Sequence, residues 1–204
     1  MKNMIQRYKL DKLIRERKLK GEKIMLHIGC GKNYFNRWIN IDNNSDNNVD
    51  KLDANIDLRN KLPISDNVVD FIFNEHFLEH LTIDEGQRAL RDFFRVLKPD
   101  GVMRIAMPDL KVAMERYFNP DWKNDASFKK FGLVYKTRAE MINNSFRVWG
   151  HKWLYDLEEL TRRLEEAGGV NIKQCNLRES EYVALRNLET RDESTLIMEV
   201  KKGI

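Results

Sequence analysis

Lys23-Ile-Met-Leu-His-Ile-Gly-Cys-Gly-Lys-Asn-Tyr-Phe-Asn-Arg-Trp-Ile-Asn-Ile-Asp42 is the stretch whose reading decides the fold. An apolar strand runs directly into Gly29-Cys30-Gly31, and a second short apolar run ends on Asp42. Glycines at such a turn let the backbone approach a ligand that a Cβ would keep away. An acidic side chain at the end of the next strand can take both hydroxyls of a ribose. The pattern describes a nucleoside-bearing ligand laid across the carboxyl ends of two parallel strands. It departs from the dinucleotide fingerprint, which has a third glycine three residues after the second. Tyr34 stands there, which disfavours a nicotinamide cofactor.

Working outward, the same alternation continues. Leu52 to Asp57-Leu58 is a short strand-like run, and Val68-Val-Asp-Phe-Ile-Phe-Asn74 reads as a buried strand from its near-continuous apolar character. Thr82-x-x-Glu85 is a capping box opening a helix to Val96, and Lys98-Pro-Asp-Gly101 ends it. Val102–Met107 is the next strand. Asp156-x-x-Glu159 caps a helix that ends at Ala167-Gly168-Gly169, and two last strands lie near Ile172–Cys175 and Thr195–Lys201. Strand and helix alternate, so the expected architecture is an open α/β sheet with helices on both faces. Gly29, Gly31, Asp42, Asp57 and Asn74 all fall at strand carboxyl ends, where such sheets bind ligands.

Two segments stand outside the alternation. Residues 1–21 lack proline, carry Met4, Ile5, Tyr8, Leu10, Leu13, Ile14 and Leu19 at mostly helical spacing, and read as a basic amphipathic helix. Its outer face is a solvated charged surface or a contact for an anionic polymer or membrane surface. The remaining 22–204 reads as one domain, interrupted over about 110–151 by an aromatic, basic, helical or irregular insertion across one face of the sheet. The net charge of +4 divides as +6 over residues 1–23 (nine Lys/Arg against three acids) and −2 over the rest, so only the leading segment is basic.

Length and composition fit a single globular domain: 204 residues, 42% hydrophobic and 33% charged. No apolar run approaches the ~20 residues of a membrane span, and no secretory signal is visible. Cys30 and Cys175 are too few and too far apart for a disulfide or zinc framework. A cytoplasmic location is the expectation.

On these residues the chain resembles the class I S-adenosylmethionine-dependent methyltransferases, and within them a type 11-like branch. The resemblance rests on Leu26–Gly31, Ile39–Asp42, Asp57-Leu58, Val69–Leu81 and Val96–Gly101, and is strengthened by Gly150–Leu160, Glu179-Ser180 and Leu185–Glu189. It implies a Rossmann-like seven-stranded sheet of order 3-2-1-4-5-7-6 with the seventh strand antiparallel. It implies S-adenosylmethionine as cofactor, with the Gly29-Cys30-Gly31 backbone around its methionine part and Asp42 on the ribose. Asp57 and Leu58 would then meet the adenine edge, and Asn74 and Glu75 would lie under the sulfonium end. Two departures stand out. His27 replaces an acidic residue, and only Lys32–Arg37 separate Gly31 from the second strand, too few for a crossover helix. The first helix must shrink to a turn, leaving an opening for Tyr34, Trp38 or the N-terminal helix to cover.

Methyl transfer needs positioning more than a strong catalytic signature, and a hydroxyl acceptor gains from a nearby base. The candidates are His76, Glu79, His80, Asp109, His151 and Tyr155, of which His76 and His151 are the catalytic expectation. His76-x-x-Glu79-His80 with His151 also has the spacing of a divalent-ion set, since some methyltransferases acting on catechol-like quinone precursors or small-RNA ribose ends carry Glu-x-x-Glu-His here. His76 stands in for the first Glu, and no metal is expected. The expected acceptor is a hydroxyl on a small molecule, glycan or nucleotide sugar. RNA is the alternative acceptor, and a non-catalytic cofactor-binding module the alternative class.

Overall fold

The computed structural model of the protein describes residues 2–43 and 51–203. The Asn-rich loop expected after Asp42 lies, from residue 44 to 50, outside the described residues. Met25–Ile28 (β1) is an interior strand, and apart from the buried His27 it is apolar, which suits a strand covered on both faces. It pairs in parallel with Ile39–Asp42 (β2) on one side and Val69–Glu75 (β4) on the other. Ala54–Asn55 (β3) extends the sheet beyond β2, and Leu97–Met107 (β5) pairs in parallel with β4. Leu196–Lys202 (β7) runs antiparallel to β5, and Gly169–Gln174 (β6) closes the edge. The seven strands take the order β3-β2-β1-β4-β5-β7-β6, as the resemblance implies.

Alternation along the strands builds two cores. Leu26, Ile28, Ile39, Ile41, Met103, Ile105, Met198 and Val200 point to one face. There they meet Lys2–Leu19 (α1) through Leu10 and Ile14, Ile83–Val96 (α2) through Leu90 and Phe93, and Leu157–Glu166 (α6) through Leu160 and Leu164. The opposite face carries Phe73, Val102, Ala106 and Ile197. It is covered by Trp38, Phe35 and the segment 175–188, whose only helical piece among the described residues is the 3-10 turn Val183–Leu185.

The short connection after β1 explains that coverage. No helix forms over residues 31–38. Asn40 holds the loop instead: its Oδ1 accepts from the Phe35 amide at 2.9 Å, and its Nδ2 donates to the carbonyls of Phe35 and Trp38 and to Asp53. Tyr34 does not roof the opening; its hydroxyl donates to Asp53 at 3.0 Å. Trp38 fills the second core, and Arg17 of α1 donates to the carbonyls of Arg37 and Trp38.

Two elements differ from the sequence reading, and a third is narrowed by the structure. Of the apolar set in α1, only Leu10 and Ile14 are buried and Leu13 partly so, while Met4, Ile5, Tyr8 and Leu19 are exposed. The inward stripe is Gln6, Leu10, Leu13/Ile14 and Arg17, one helical face at 3–4-residue spacing. Gln6 uses its place there to accept from the Asn55 amide at 3.1 Å. Lys98–Gly101 does not stand clear as a turn but forms the irregular start of β5. Leu97 pairs with Val69, Asp100 turns the chain at φ 61°, and pairing resumes at Val102 with Phe71. The segment 110–151 is largely helical rather than irregular: Leu110–Phe118 (α3), Ala126–Phe131 (α4) and Arg138–Arg147 (α5). Asp109, Asp125 and Thr137 each cap one of these helices by accepting a first-turn amide, a local signal the sequence carried.

Candidate active site

Ile41, Ile28, Asn74 and Ile105 are lateral neighbours across β2, β1, β4 and β5. The expected rim therefore exists as one line, with the chain reversing direction across the sheet between β1 and β4, where open α/β sheets leave a crevice. Gly29 and Gly31 have φ of 65° and 52°, left-handed values that disfavour other residues. The two serve different ends. A Cβ on Gly29 would stand 2.7 Å from the Phe77 ring, so that glycine lets Phe77 pack against β1. A Cβ on Gly31 would meet nothing within 4 Å, so its backbone borders open space. The Gly31 amide donates to Asp42 Oδ2 at 2.6 Å, and the Asn43 amide to Oδ1 at 2.6 Å, which locks the carboxylate beside the glycine turn.

Asn74 is fully buried, yet neither its Nδ2 nor its Oδ1 has a partner within the protein. Leaving a buried polar group unpaired costs about 1–3 kcal/mol, so this amide at the rim is suited to a ligand's polar groups. Burial pushes the Cys30 thiol up to about 12, and its Sγ donates to the Gly31 carbonyl. Leu58 is buried in the main core. Both carboxylate oxygens of Asp57 are held by the Arg59 guanidinium at 2.8 and 2.6 Å, which keeps Asp57 below the usual carboxylate range.

Glu75, expected under the sulfonium end, has its carboxylate committed elsewhere. It accepts from the Thr190 amide and hydroxyl, the Arg191 amide and the Ser194 hydroxyl, at 2.6 to 3.1 Å. Asn33 Nδ2 donates to the same Thr190 hydroxyl at 3.0 Å, tying the loop after β1 to segment 190–194. His27, in place of an acid, is buried, stacks on Phe35 with ring centroids 4.3 Å apart, and has Nδ1 3.1 Å from Asn40 Oδ1. Desolvation lowers its pKa to about 4, which keeps it neutral.

Beyond β4 the chain turns through His76, at φ 51°. Its Nε2 lies 3.1 Å from Ser194 Oγ and its Nδ1 3.2 Å from Glu79 Oε1, so both ring nitrogens face partners. The structure joins His151 to the same corner: Glu79, His80 and His151 each offer a ligand atom within 4.8 Å of the others. Asp109 and Tyr155 pair with each other in an isolated parallel bridge. Asp109 caps α3, and burial raises both its carboxyl and the Tyr155 phenol, the latter to about 12. The residues that sequence reasoning passed over are Asn33, Asn40, Asp53, Thr190 and Ser194; none belongs to a local pattern that marks a site.

The family model for a methyltransferase domain of type 11 matches residues 26–105. The segment spans β1 to β5, the part that carries the glycine turn, Asp42 and Asn74. Over that segment the chain carries a methyltransferase domain of type 11, similar to the class I S-adenosylmethionine-dependent methyltransferases. Among solved structures, the methyltransferase is similar to a SAM-dependent methyltransferase from Archaeoglobus fulgidus, with TM-score 0.56 and 18% identity over 99% of this chain and 95% of that one. It is similar to a SAM-dependent methyltransferase from Thermotoga maritima, described as a possible histamine N-methyltransferase, with TM-score 0.53 and 16% identity over 99% and 100%. A phosphoethanolamine N-methyltransferase from Haemonchus contortus, solved with S-adenosylhomocysteine, matches at TM-score 0.50 and 13% identity; this chain spans 53% of it. At these identities the likeness is one of fold. No curated protein matches the sequence. The cofactor is S-adenosylmethionine, and the glycine turn, the locked Asp42 and the unpaired Asn74 amide fit it. Among the described residues no helix is long and apolar enough to cross a membrane.

Proposed function

We propose that this methyltransferase methylates a hydroxyl oxygen of a small-molecule, glycan or nucleotide-sugar acceptor. The acceptor would be held between the β4 end and the helices of 110–151. The observation that carries the reading is the placement of His76, Glu79, His80 and His151 immediately beyond the orphaned Asn74 amide on the cofactor rim.

Bound S-adenosylmethionine supplies an electrophilic methyl group. The chain's own residues supply position. The Gly31 backbone leaves room for the methionine part, Asp42 takes the ribose hydroxyls, and Asn74 offers a donor and an acceptor near the reacting end. Glu75 acts through segment 190–194, which it fastens beside the rim. His76 is held through Nε2 by the Ser194 hydroxyl, with its Nδ1 beside the Glu79 carboxylate. His151 is the freer histidine: its Nδ1 donates to the Ser145 carbonyl at 2.7 Å, which leaves Nε2 with its lone pair for the acceptor side.

Calorimetric titration with S-adenosylmethionine, S-adenosylhomocysteine and NAD tests the cofactor half, with binding of the first two and not the third as the expected result. Radiolabelled methyl transfer to an acceptor panel tests the rest. Incorporation into sugars or small hydroxy compounds supports it. Incorporation only into RNA, with affinity falling steeply as salt rises, would replace it with the polymer reading that the basic α1 suggests.

A further inference from the structure

We propose that Glu79, His80 and His151 form a binding site for a divalent transition-metal cation of the zinc and cobalt class. Three of the chain's four histidines, His76, His80 and His151, lie in this corner. The donor set is two imidazoles and one carboxylate, which suits zinc-like ions and leaves coordination positions open for another ligand. Their ligand atoms lie within 4.8 Å of one another; tetrahedral bonds of about 2.0–2.2 Å would draw them to about 3.4 Å, a movement that side-chain rotation supplies.

Glu79 is the observation that asks for a cation. Its side chain has no exposed surface, and neither carboxylate oxygen has a hydrogen-bond partner. His76 Nδ1 is 3.2 Å from Oε1, close enough for an ion pair but without hydrogen-bond geometry. A buried carboxylate left in that state is costly unless a cation pairs with it. Lys152 does not fill the role, since its Nζ faces Glu85 at 3.5 Å.

The histidines are set as metal ligands are usually set. His151 donates Nδ1–H to the Ser145 carbonyl, the outer hydrogen bond that fixes a ligating imidazole's tautomer and turns Nε2 inward. His80 meets His151 edge-on at 5.1 Å between centroids, and its Nδ1 faces Gly150, where a Cβ would stand 3.6 Å away. The amides of Lys152 and Trp153 both donate to the Glu79 carbonyl, at 2.7 and 3.2 Å. Those bonds bind the end of the 110–151 segment to the turn that carries Glu79 and His80, so the donors are gathered by backbone before any ion arrives. The inference deepens the proposed function and rests on its acceptor side: a cation here would hold the acceptor oxygen and lower its pKa, the role otherwise asked of a base.

The test is metal binding itself, read apart from methyl transfer. Protein freed of metal by chelator is titrated with Co2+, following the d–d absorption, with Zn2+ and Mg2+ as competitors and S-adenosylhomocysteine affinity measured on the same samples. The expected result is one equivalent of Co2+ bound at micromolar affinity or tighter, displaced by Zn2+ and not by Mg2+. Glu79→Gln and His151→Ala should each weaken Co2+ binding by about tenfold or more, with S-adenosylhomocysteine affinity kept as the sign of an intact fold. Should one variant lose its fold, the other decides. Cys30→Ala and Cys175→Ala should bind Co2+ as the parent does, excluding a thiol site. Absence of saturable binding at one equivalent, or variants that bind like the parent, would overturn the site while leaving the cofactor reading intact. Cobalt binding without S-adenosylhomocysteine binding would do the reverse.

Discussion

At the scale of single residues, the two glycines of the motif differ although their backbone angles are alike. Gly29→Ala adds a left-handed penalty of about 1–2 kcal/mol and forces a Cβ into Phe77, an overpacking cost of about 1–3 kcal/mol. Urea denaturation should show the sum. Gly31→Ala carries only the backbone penalty, because nothing stands within 4 Å of the new methyl. Its loss should appear mainly in S-adenosylhomocysteine affinity, and a calorimetric constant equal to the parent's would remove Gly31 from the cofactor site. His27 carries a pH signature. Its folded pKa is about 4, against about 6.5 in an unfolded chain. Between those values the unfolded chain binds the proton and the folded one does not. The stability is therefore complete above about pH 6.5 and lost as pH falls toward 4, up to roughly 3 kcal/mol. Stability measured across that window should be flatter in His27→Gln than in the parent.

At the scale of elements, α2 is the most self-specified. Thr82 Oγ1 accepts from the Glu85 amide at 3.3 Å while Glu85 returns a bond to the Thr82 amide at 2.8 Å. Thr82→Ala should cost about 1 kcal/mol in a thermal or chemical melt. Helix α1 is the opposite case. Four of its apolar residues face water, and its attachment rests on Leu10, Ile14, Gln6 and Arg17. Leu10→Ala should cost about 2–5 kcal/mol, whereas Tyr8→Ala should change stability little; equal effects would mean that α1 docks by another face. Because Arg17 reaches the carbonyls beside the loop after β1, deleting α1 is expected to disturb the cofactor rim as well as remove basic charge.

At the scale of the whole molecule, strand order brings together charges far apart in sequence. Arg104 on β5 stands opposite Glu199 on β7, and its fully buried guanidinium donates to Glu199 at 2.6 Å and to Glu189 at 2.5 Å. Glu189 also accepts from the Arg178 amide at 2.9 Å, so one carboxylate fastens the 176–190 segment over the second face. Removing one partner of a buried ion pair costs about 3–5 kcal/mol. Glu189→Ala should show that loss and loosen hydrogen-exchange protection across 176–190, where no α-helix supports the chain; unchanged exchange there would mean that packing of Leu185 and Tyr182 holds it alone.

What the sequence by itself determined is what neighbouring residues decide. The glycine turn between two apolar runs, Asp42 at a strand end, the cap of α2, and the absence of room for a first helix were all readable, because each is set by contacts within a few residues. The caps of α3 to α5 were equally local and went unread, hidden by the aromatic residues around them. The tertiary structure alone decided which side chains share a corner. Glu75, at the end of β4, received its donors from segment 190–194, more than a hundred residues on. Glu79 and His80 gained His151 only because β5, three helices and a returning loop carried it there. Periodicity records which face of an element is buried, not which distant side chain it is buried against. Electrostatic pairing across the sheet is therefore legible only once the strands are in order.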